Sequence, residues 1–258
     1  MNKKVCDLKI TKHTQLNYNN FQLELKCFEL IENIIPGQFI NVLVKDSANT
    51  FLRRPFSIHD VDYEKNTITI LVKEVGEGTA KISHSKVGDS LNVVFPLGNG
   101  FTIPTRVNKV LLIGGGVGIA PMMHLSRELK KSGSDVHILL GAKTKQDHIL
   151  IDEFSQQAHV HITTDDGSLG TKGFVVNHSI LDGEIKFDFI YCCGPEVMMQ
   201  SVAKKAKSLN IECEVSLENM MACGFGVCLC CVTKTKEGNK CVCSEGPVFN
   251  INELEWQI

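Results

Sequence analysis

The sequence predicts an α+β and α/β chain in three parts: an antiparallel β-barrel, a parallel doubly wound α/β domain, and a small cysteine-rich C-terminal subdomain. Three observations carry this. Up to Ile103 the apolar residues come in short alternating runs, after Pro104 the rhythm changes to strand then helix, and six of the eleven cysteines fall between Cys223 and Cys243. The expected boundaries are 1–103, 104–216 and 217–258, and 258 residues suit about two ordinary domains and a small addition.

The first part is read from Phe21–Leu25, Gln38–Val44, Thr67–Val72 and Ser90–Phe95, where apolar and polar residues alternate as on half-buried antiparallel strands. Pro36-Gly37, Gly88-Asp89 and Pro96-Leu97-Gly98-Asn99-Gly100 punctuate them, and turns this close together predict a small closed barrel rather than a sandwich. In the second part, Val107–Ile113 reads as a buried strand, Pro121–Lys131 as a helix ended by Gly133, and Val136–Leu140 follows as a strand. Further strands are expected at His159–Thr163 and Phe187–Tyr191, with a helix from Glu196 to about Leu209. This alternation predicts a parallel sheet covered by helices. The remaining residues, rich in Cys and Gly without helical period, are expected to organise around a metal centre.

Composition narrows the function. With 27 Lys+Arg against 29 Asp+Glu the net charge is -2, so no basic footprint for nucleic acid or anionic lipid is present. The start, Met1-Asn2-Lys3-Lys4-Val5, has no apolar stretch behind its lysines, and Val110–Met123 is too short and too broken by glycine to span a bilayer. A soluble, cytoplasmic chain is expected, in a reducing medium where a thiol cluster signals metal or redox chemistry. Cys6, Cys27, Cys192, Cys193 and Cys213 lie in apolar contexts and read as small buried hydrophobes.

Three motifs carry chemistry. Cys223, Cys228 and Cys231 are spaced C-x4-C-x2-C, the plant-type [2Fe-2S] arrangement, with Cys241 or Cys243 as fourth thiolate; spacing leaves that choice open. Gly224 and Gly226 allow a loop with positive φ that points N–H groups at sulfur. The rival is a structural zinc site, whose ligands usually arrive as C-x2-C pairs. Gly114, Gly115, Gly116 and Gly118, between a buried strand and the Pro121 helix, form a turn suited to a pyrophosphate, and Cys193-Gly194-Pro195 recurs at a later strand end. The G-x-G-x-x-G fingerprint is absent. Finally, Arg54-Pro55-Phe56-Ser57 offers a phosphate-gripping guanidinium, a ring to pack on a cofactor and a hydroxyl, with Gly78-Thr79 as a helix start capped by Thr79. An exposed Arg53 and a turn at Pro55 are the bland alternative. His124, His148, His159, His161 and the Asp165-Asp166-Gly167 turn read as structural or nucleotide-contacting, and Lys143 with Lys145 leaves NADP open beside NAD.

Together these residues resemble the ferredoxin reductase superfamily, in which a flavin-binding barrel precedes a nicotinamide-binding domain. Arg54-Pro55-Phe56-Ser57 is similar to its Arg-x-Tyr-Ser flavin motif with Phe56 for Tyr, and Cys193-Gly194-Pro195 to its Cys-Gly-Pro motif. Within it, Met221 to Cys231 and Cys243-Ser244-Glu245-Gly246-Pro247-Val248-Phe249 resemble the electron transfer subunits of type B dihydroorotate dehydrogenase. The resemblance implies Cys223, Cys228, Cys231 and Cys243 as cluster ligands. It implies FAD contacts at Arg54 to Ser57, Leu71, Val72, Lys73, Gly78 and Thr79. Electrons of dihydroorotate oxidation would leave FMN in a catalytic partner subunit, in a heterotetramer of two of each, and cross the cluster and FAD to NAD+; no side chain need act as acid or base. A flavin and iron-sulfur subunit of a ferredoxin or sulfide reductase, and a zinc-stabilised interaction module, are the alternatives.

Overall fold

The computed structural model describes residues 3–45, 47, 49–106, 108–183 and 185–256. Contacts divide the chain into two compact units: Met1–Gly100 with Glu218–Thr233 and Asn239–Pro247, and Phe101–Leu217 with Lys234–Gly238 and Val248–Ile258. The residues after 216 are thus shared between the two.

In the first unit, β1 (Lys4–Gln15), β2 (Asn20–Lys26), β3 (Phe39–Val42), β4 (Arg54–Asp62), β5 (Thr67–Lys73) and β6 (Ser90–Leu97) close a barrel in the order β1-β2-β5-β4-β3-β6, every pairing antiparallel. Helix α1 (Glu77–Ser83) lies between β5 and β6. Alternation sends Leu8, Leu23, Ile40, Ile58, Ile70 and Val93 inward, all at most 1% exposed. Closure leaves the barrel with no free edge. Three of the four expected strands fall within β2, β5 and β6, whereas the expected Gln38–Val44 is longer than β3. Its start is trimmed because Gln38 turns away to bridge the loop, accepting from Ile35 N at 3.0 Å and donating to the Gly98 carbonyl at 2.9 Å.

The second unit holds β7 (Lys109–Gly115), α2 (Met122–Lys131), β8 (Asp135–Ala142), α3 (Ile151–Ser155), β9 (His159–Thr164), β10 (Thr171–Lys172), β11 (Phe189–Cys193), α4 (Glu196–Ser208) and β12 (Glu212–Ser216). After the hairpin of β13 (Val232–Thr235) and β14 (Gly238–Cys241), β15 (Val248–Asn250) completes a seven-stranded sheet of order β10-β9-β8-β7-β11-β12-β15. All its pairings are parallel except β15 on β12. Leu111, Leu112, Ile113, Ile138, Leu139 and Ile190 are fully buried, as a sheet covered on both faces requires. Val107, expected to open the first strand, lies outside the described residues, as do Met1 and Asn2. The strand expected from Phe187 starts at Phe189, because Asp188 instead clasps Lys109, its N–H on the Lys109 carbonyl and its carboxylate on Lys109 N, both at 2.8 Å. That shift brings Cys193 to the strand end in register with Gly114.

His124, on α2, is 2% exposed. Burial lowers its pKa to about 4, against the upward pull of Glu128 and with the help of Lys131 and Arg127. The unfolded chain takes up this proton below about pH 6.5 and the folded chain only near pH 4, so the contribution is complete at neutral pH and is lost as the pH falls through that window. Urea unfolding at pH 8 and pH 5 is expected to show the unmodified chain losing about 2 kcal/mol more than His124→Gln between the two; equal losses would show that His124 titrates normally in the folded chain.

Candidate functional site

The cysteine loop belongs to the first unit. Cys231 and Cys243 are buried, Cys223 is half-buried and Cys228 exposed. Gly224 and Gly226 have φ of 75° and 83°, and the backbone they bend aims N–H groups at sulfur. Phe225 N donates to Cys223 Sγ at 3.3 Å, Cys228 N to the same sulfur at 3.5 Å, Gly226 N to Cys243 Sγ at 3.1 Å and Cys243 N to Cys231 Sγ at 3.4 Å. Burial pushes the Cys223 thiol up, but the N–H groups of Phe225 and Cys228, the Cys228 thiol and the Val227 N–H together outweigh it and hold the pKa at about 6. Burial and then the Cys231 thiol push Cys243 up to about 12, a cost that a coordinating cation reverses by deprotonating the thiol outright. Cys241, also buried, points its thiol at the Gly226 carbonyl, 3.8 Å away.

Two anchors seat this loop on the barrel. Asn99 N donates to the Gly246 carbonyl at 2.6 Å and Asn99 Nδ2 to the Glu245 carbonyl at 3.0 Å, while the Glu245 carboxylate accepts from Cys241 N at 2.7 Å. At the other end Gly224 lies so close to β3 that a methyl group there would stand 3.1 Å from Asn41 Nδ2 and 3.2 Å from Leu97 Cδ1. Asn41 is fully buried and neither atom of its side-chain amide has a hydrogen-bond partner. Such an orphan amide is a costly feature unless a group absent from the protein atoms completes it. Sequence reading passed over Asn41; the signal was a polar residue inside the apolar run Phe39–Val44. Among the described residues, Asp135, His137 and His159 are a separate grouping whose ligand atoms all lie within 4.8 Å of one another.

On the barrel the two arginines divide their roles. Arg53 is engaged with Asn92, through its carbonyl at 3.0 Å and its Oδ1 at 2.6 Å, and burial lowers its pKa. Arg54 spends one nitrogen on the Leu52 carbonyl at 2.8 Å and lays the rest of its guanidinium over Gly78, whose missing Cβ would meet Arg54 Nε at 3.1 Å. The structure therefore brings Arg54 and Gly78 together. Pro55 is exposed, and Ser57 and Lys73 are half-buried. Phe56 and Val72 instead join the barrel core, leaving only their backbone to a ligand; Leu71 is buried outside that core. Thr79 is not the helix cap. It occupies the third position of α1, where its hydroxyl accepts from Val75 N at 2.9 Å and Gly76 N at 3.2 Å, and Gly76 stands at the cap.

In the second unit the Gly114–Gly118 turn and Cys193-Gly194-Pro195 meet at the carboxyl ends of the adjacent parallel strands β7 and β11. The contact is backbone on backbone: a methyl group on Gly118 would stand 2.4 Å from the Cys193 carbonyl oxygen and 2.6 Å from Gly194 Cα. A methyl group on Gly115 would stand 2.4 Å from Met198 Sδ and 3.1 Å from Pro195 Cδ, and Gly116 takes φ of 56° with open space around it. The turn runs through Gly116–Ile119 into α2, with Pro121 before its first residue, so a helix N-terminus opens beside the strand end, an arrangement suited to a pyrophosphate. The loops after β8 and β9 close the same end of the sheet: Lys145 N donates to Ser168 Oγ at 2.8 Å and Asp166 N to the Lys143 carbonyl at 3.3 Å. Asp166 is held by Ser168 in an exposed turn.

Comparison with known proteins finds three family models along the chain. Residues 6–101 match an oxidoreductase FAD-binding domain, 112–204 an oxidoreductase NAD-binding domain, and 218–255 the iron-sulfur cluster binding domain of dihydroorotate dehydrogenase B. The dihydroorotate dehydrogenase B (NAD(+)) electron transfer subunit of Shouchella clausii is 36% identical over 98% of this chain and 99% of its own length. That of Caldanaerobacter subterraneus subsp. tengcongensis is 40% identical over 85% and 86%. The structure of an NADH-dependent reduced ferredoxin-NADP oxidoreductase superposes with a TM-score of 0.87 at 33% identity, covering 96% of this chain and 90% of that one. The ferredoxin reductase of carbazole 1,9a-dioxygenase, at 20% identity and a TM-score of 0.68 over 81% of this chain and 66% of that one, shares the fold alone.

The two glycines of the nucleotide turn should respond differently to alanine. Gly118→Ala forces backbone apart at Cys193 and is expected to cost about 1–3 kcal/mol in urea unfolding, whereas Gly116→Ala meets only the left-handed backbone penalty of about 1–2 kcal/mol. Binding of NADH, measured by calorimetry, should be lost in Gly118→Ala; unchanged affinity would show that the turn does not hold the nucleotide.

Proposed function

This chain belongs to the family of dihydroorotate dehydrogenase B electron transfer subunits, and on that footing we propose that it takes the electrons of dihydroorotate oxidation from a catalytic partner subunit and delivers them to NAD+ in pyrimidine biosynthesis. A [2Fe-2S] cluster supplies single-electron transfer, and FAD couples single electrons to the hydride exchanged with NAD+. The functional modules are 1–103 for FAD, 104–216 for NAD and 217–258 for the cluster. The observation that carries the reading is the set of thiols held under backbone N–H groups in a loop seated on the barrel.

The residues have distinct tasks. Cys223, Cys228, Cys231 and Cys243 hold iron, and the N–H groups of Phe225, Gly226, Cys228 and Cys243 stabilise negative charge on their sulfurs. Arg54 over Gly78 grips a flavin phosphate, Ser57 offers a hydroxyl to the ring, and Pro55, Phe56, Leu71, Val72, Lys73 and Thr79 line the flavin path by backbone or side chain. Asn41 gives its buried amide to the bound cofactors. Gly114, Gly115, Gly116 and Gly118 with Cys193, Gly194 and Pro195 bind the nicotinamide nucleotide. No side chain here moves a proton. Met220, Val227 and Leu229 are 83%, 82% and 64% exposed around the cysteines, a patch suited to docking the FMN-containing catalytic subunit in a heterotetramer of two of each. No helix among the described residues is long and apolar enough to cross a membrane, and we place the assembly in the cytoplasm, where thiols stay reduced for iron.

A second reading, an NADH-linked subunit of a ferredoxin reductase, is favoured by the 33% identical ferredoxin-NADP oxidoreductase structure. Substrate dependence separates the two. Anaerobically purified chain should show flavin bands with an iron-sulfur shoulder bleached by NADH, and with its catalytic partner should reduce NAD+ on addition of dihydroorotate; reduction that needs reduced ferredoxin instead would select the second reading.

Cys243→Ser is expected to lose most of the bound iron and acid-labile sulfide while Cys241→Ser keeps both, and the reverse result would move the fourth ligand to Cys241. Val227→Asp should abolish co-elution with the catalytic subunit in size-exclusion chromatography at unchanged iron content; full co-elution would place the docking surface elsewhere.

A further inference from the structure

Four imidazoles gather at the far end of the sheet from the glycine turn, and the electron-transfer reading uses none of them. His137 near the start of β8 pairs in register with His159 at the start of β9, and His161 lies two residues further along the same face. His178 meets His161 edge-on with ring centres 5.4 Å apart. Asp135, the first residue of β8, brings its carboxylate to the same place: Oδ1 is 3.5 Å from His137 Nε2 and 3.6 Å from His159 Nε2. Its other oxygen, Oδ2, pairs with Lys109 Nζ at 3.1 Å and so anchors the carboxylate to β7.

Those separations discriminate between explanations. Both carboxylate–imidazole distances are longer than a hydrogen bond, for which N–H···O distances run to about 3.2 Å. They match the edge of a coordination tetrahedron, since zinc bonds to imidazole and carboxylate of about 2.0–2.2 Å put neighbouring ligand atoms about 3.4 Å apart. The three ligand atoms all lie within 4.8 Å of one another, as a shared ion requires.

The surroundings add the support that metal-bound imidazoles generally have. His137 Nδ1 is 3.1 Å from His161 Nε2, so a proton on Nδ1 donated to His161 leaves Nε2 bare and facing Asp135. The His137 ring is held in that orientation by stacking on His161, with centres 5.4 Å apart, and by the edge contact with Phe187 at 5.3 Å. The His137 side chain is 11% exposed, against 41% for Asp135 and 71% for His159, so the group is fixed on the protein side and open on the other.

We propose that Asp135, His137 and His159 form a binding site for a first-row divalent ion, zinc being the best match, with His161 as the positioning residue for His137 and water in the fourth place. Two nitrogens and one oxygen exclude the all-oxygen shells of magnesium and calcium and suit zinc, copper or nickel. Five residues separate His137 from the end of β8, about 16 Å of strand, so the ion stands off the nucleotide turn. Its effect is to strap β8 to β9 where both strands begin, raising stability by binding the folded chain alone.

The test uses tag-free holoprotein carrying its iron and flavin, dialysed to equilibrium against micromolar Zn2+. One zinc per chain is expected, with a shell of nitrogen and oxygen at about 2.0–2.1 Å in the zinc X-ray absorption spectrum and a melting temperature raised by several degrees. His159→Ala, which removes an exposed side chain and leaves the core intact, and Asp135→Asn should each weaken zinc binding at least tenfold with iron and flavin contents unchanged. Zinc bound with equal affinity by His159→Ala, a sulfur shell at about 2.3 Å, or no zinc retained at 100 micromolar would each overturn the proposal.

Discussion

Backbone N–H groups aimed at sulfur are the contact around which the first unit is arranged. A thiolate loses hydration as it is buried, and only nearby positive charge or hydrogen-bond donors compensate it. Here the donors are peptide groups of the loop itself, and they reach the sulfurs because Gly224 and Gly226 take a backbone conformation that other residues resist. That conformation in turn demands room: Gly226 lies against the Ser244 hydroxyl and Gly224 against Asn41. Asn99, donating to the Glu245 and Gly246 carbonyls, then fixes the far side of the loop to the barrel turn, and the Glu245 carboxylate braces the loop on Cys241 N. Loop, turn and β3 thus form one structure, and the asymmetry between a lowered Cys223 and a raised Cys243 follows from which sulfur collects the donors and which is the more deeply buried.

The second unit meets a different requirement, close approach of main chain to main chain. Gly118 on the Cys193 carbonyl and Gly194 on the Gly115 backbone let the turns after two adjacent strands share one crevice. The apolar strands beneath supply rigidity without any polar constraint on the site. The two units thus rest on unlike contacts, a guanidinium laid over Gly78 in one and close glycine turns in the other.

What was legible in the sequence was local. Cysteine spacing, the glycine turn and the alternation of the barrel strands depend on neighbours within a few residues, and the structure has those strands, that turn and the helices at α2 and α4. What was not legible depends on register between distant strands. Nothing near Arg53 or Arg54 says that Asn92 will occupy the first and free the second. Phe56 reads as a ring for a cofactor, but the parity of β4 turns it into the core. Thr79 reads as a cap because cap and third position differ only in where the preceding turn begins. The Asp135–His137–His159 group was not legible for the same reason, since it needs β8 and β9 in register, and Asn41 left only the signal of a polar residue inside an apolar run.

The pairing of β12 with β15 sets how the cysteine segment is joined to the rest. Ser216 and Val248 stand opposite each other in that antiparallel pair, so the chain leaves the rim of the sheet and comes back to the same rung. Neighbouring strands are about 4.8 Å apart, which makes residues 217–247 a cassette with its two ends side by side. A graft of this shape needs no re-threading of the sheet, and its return strand covers an edge that would otherwise be left open to pairing with another chain.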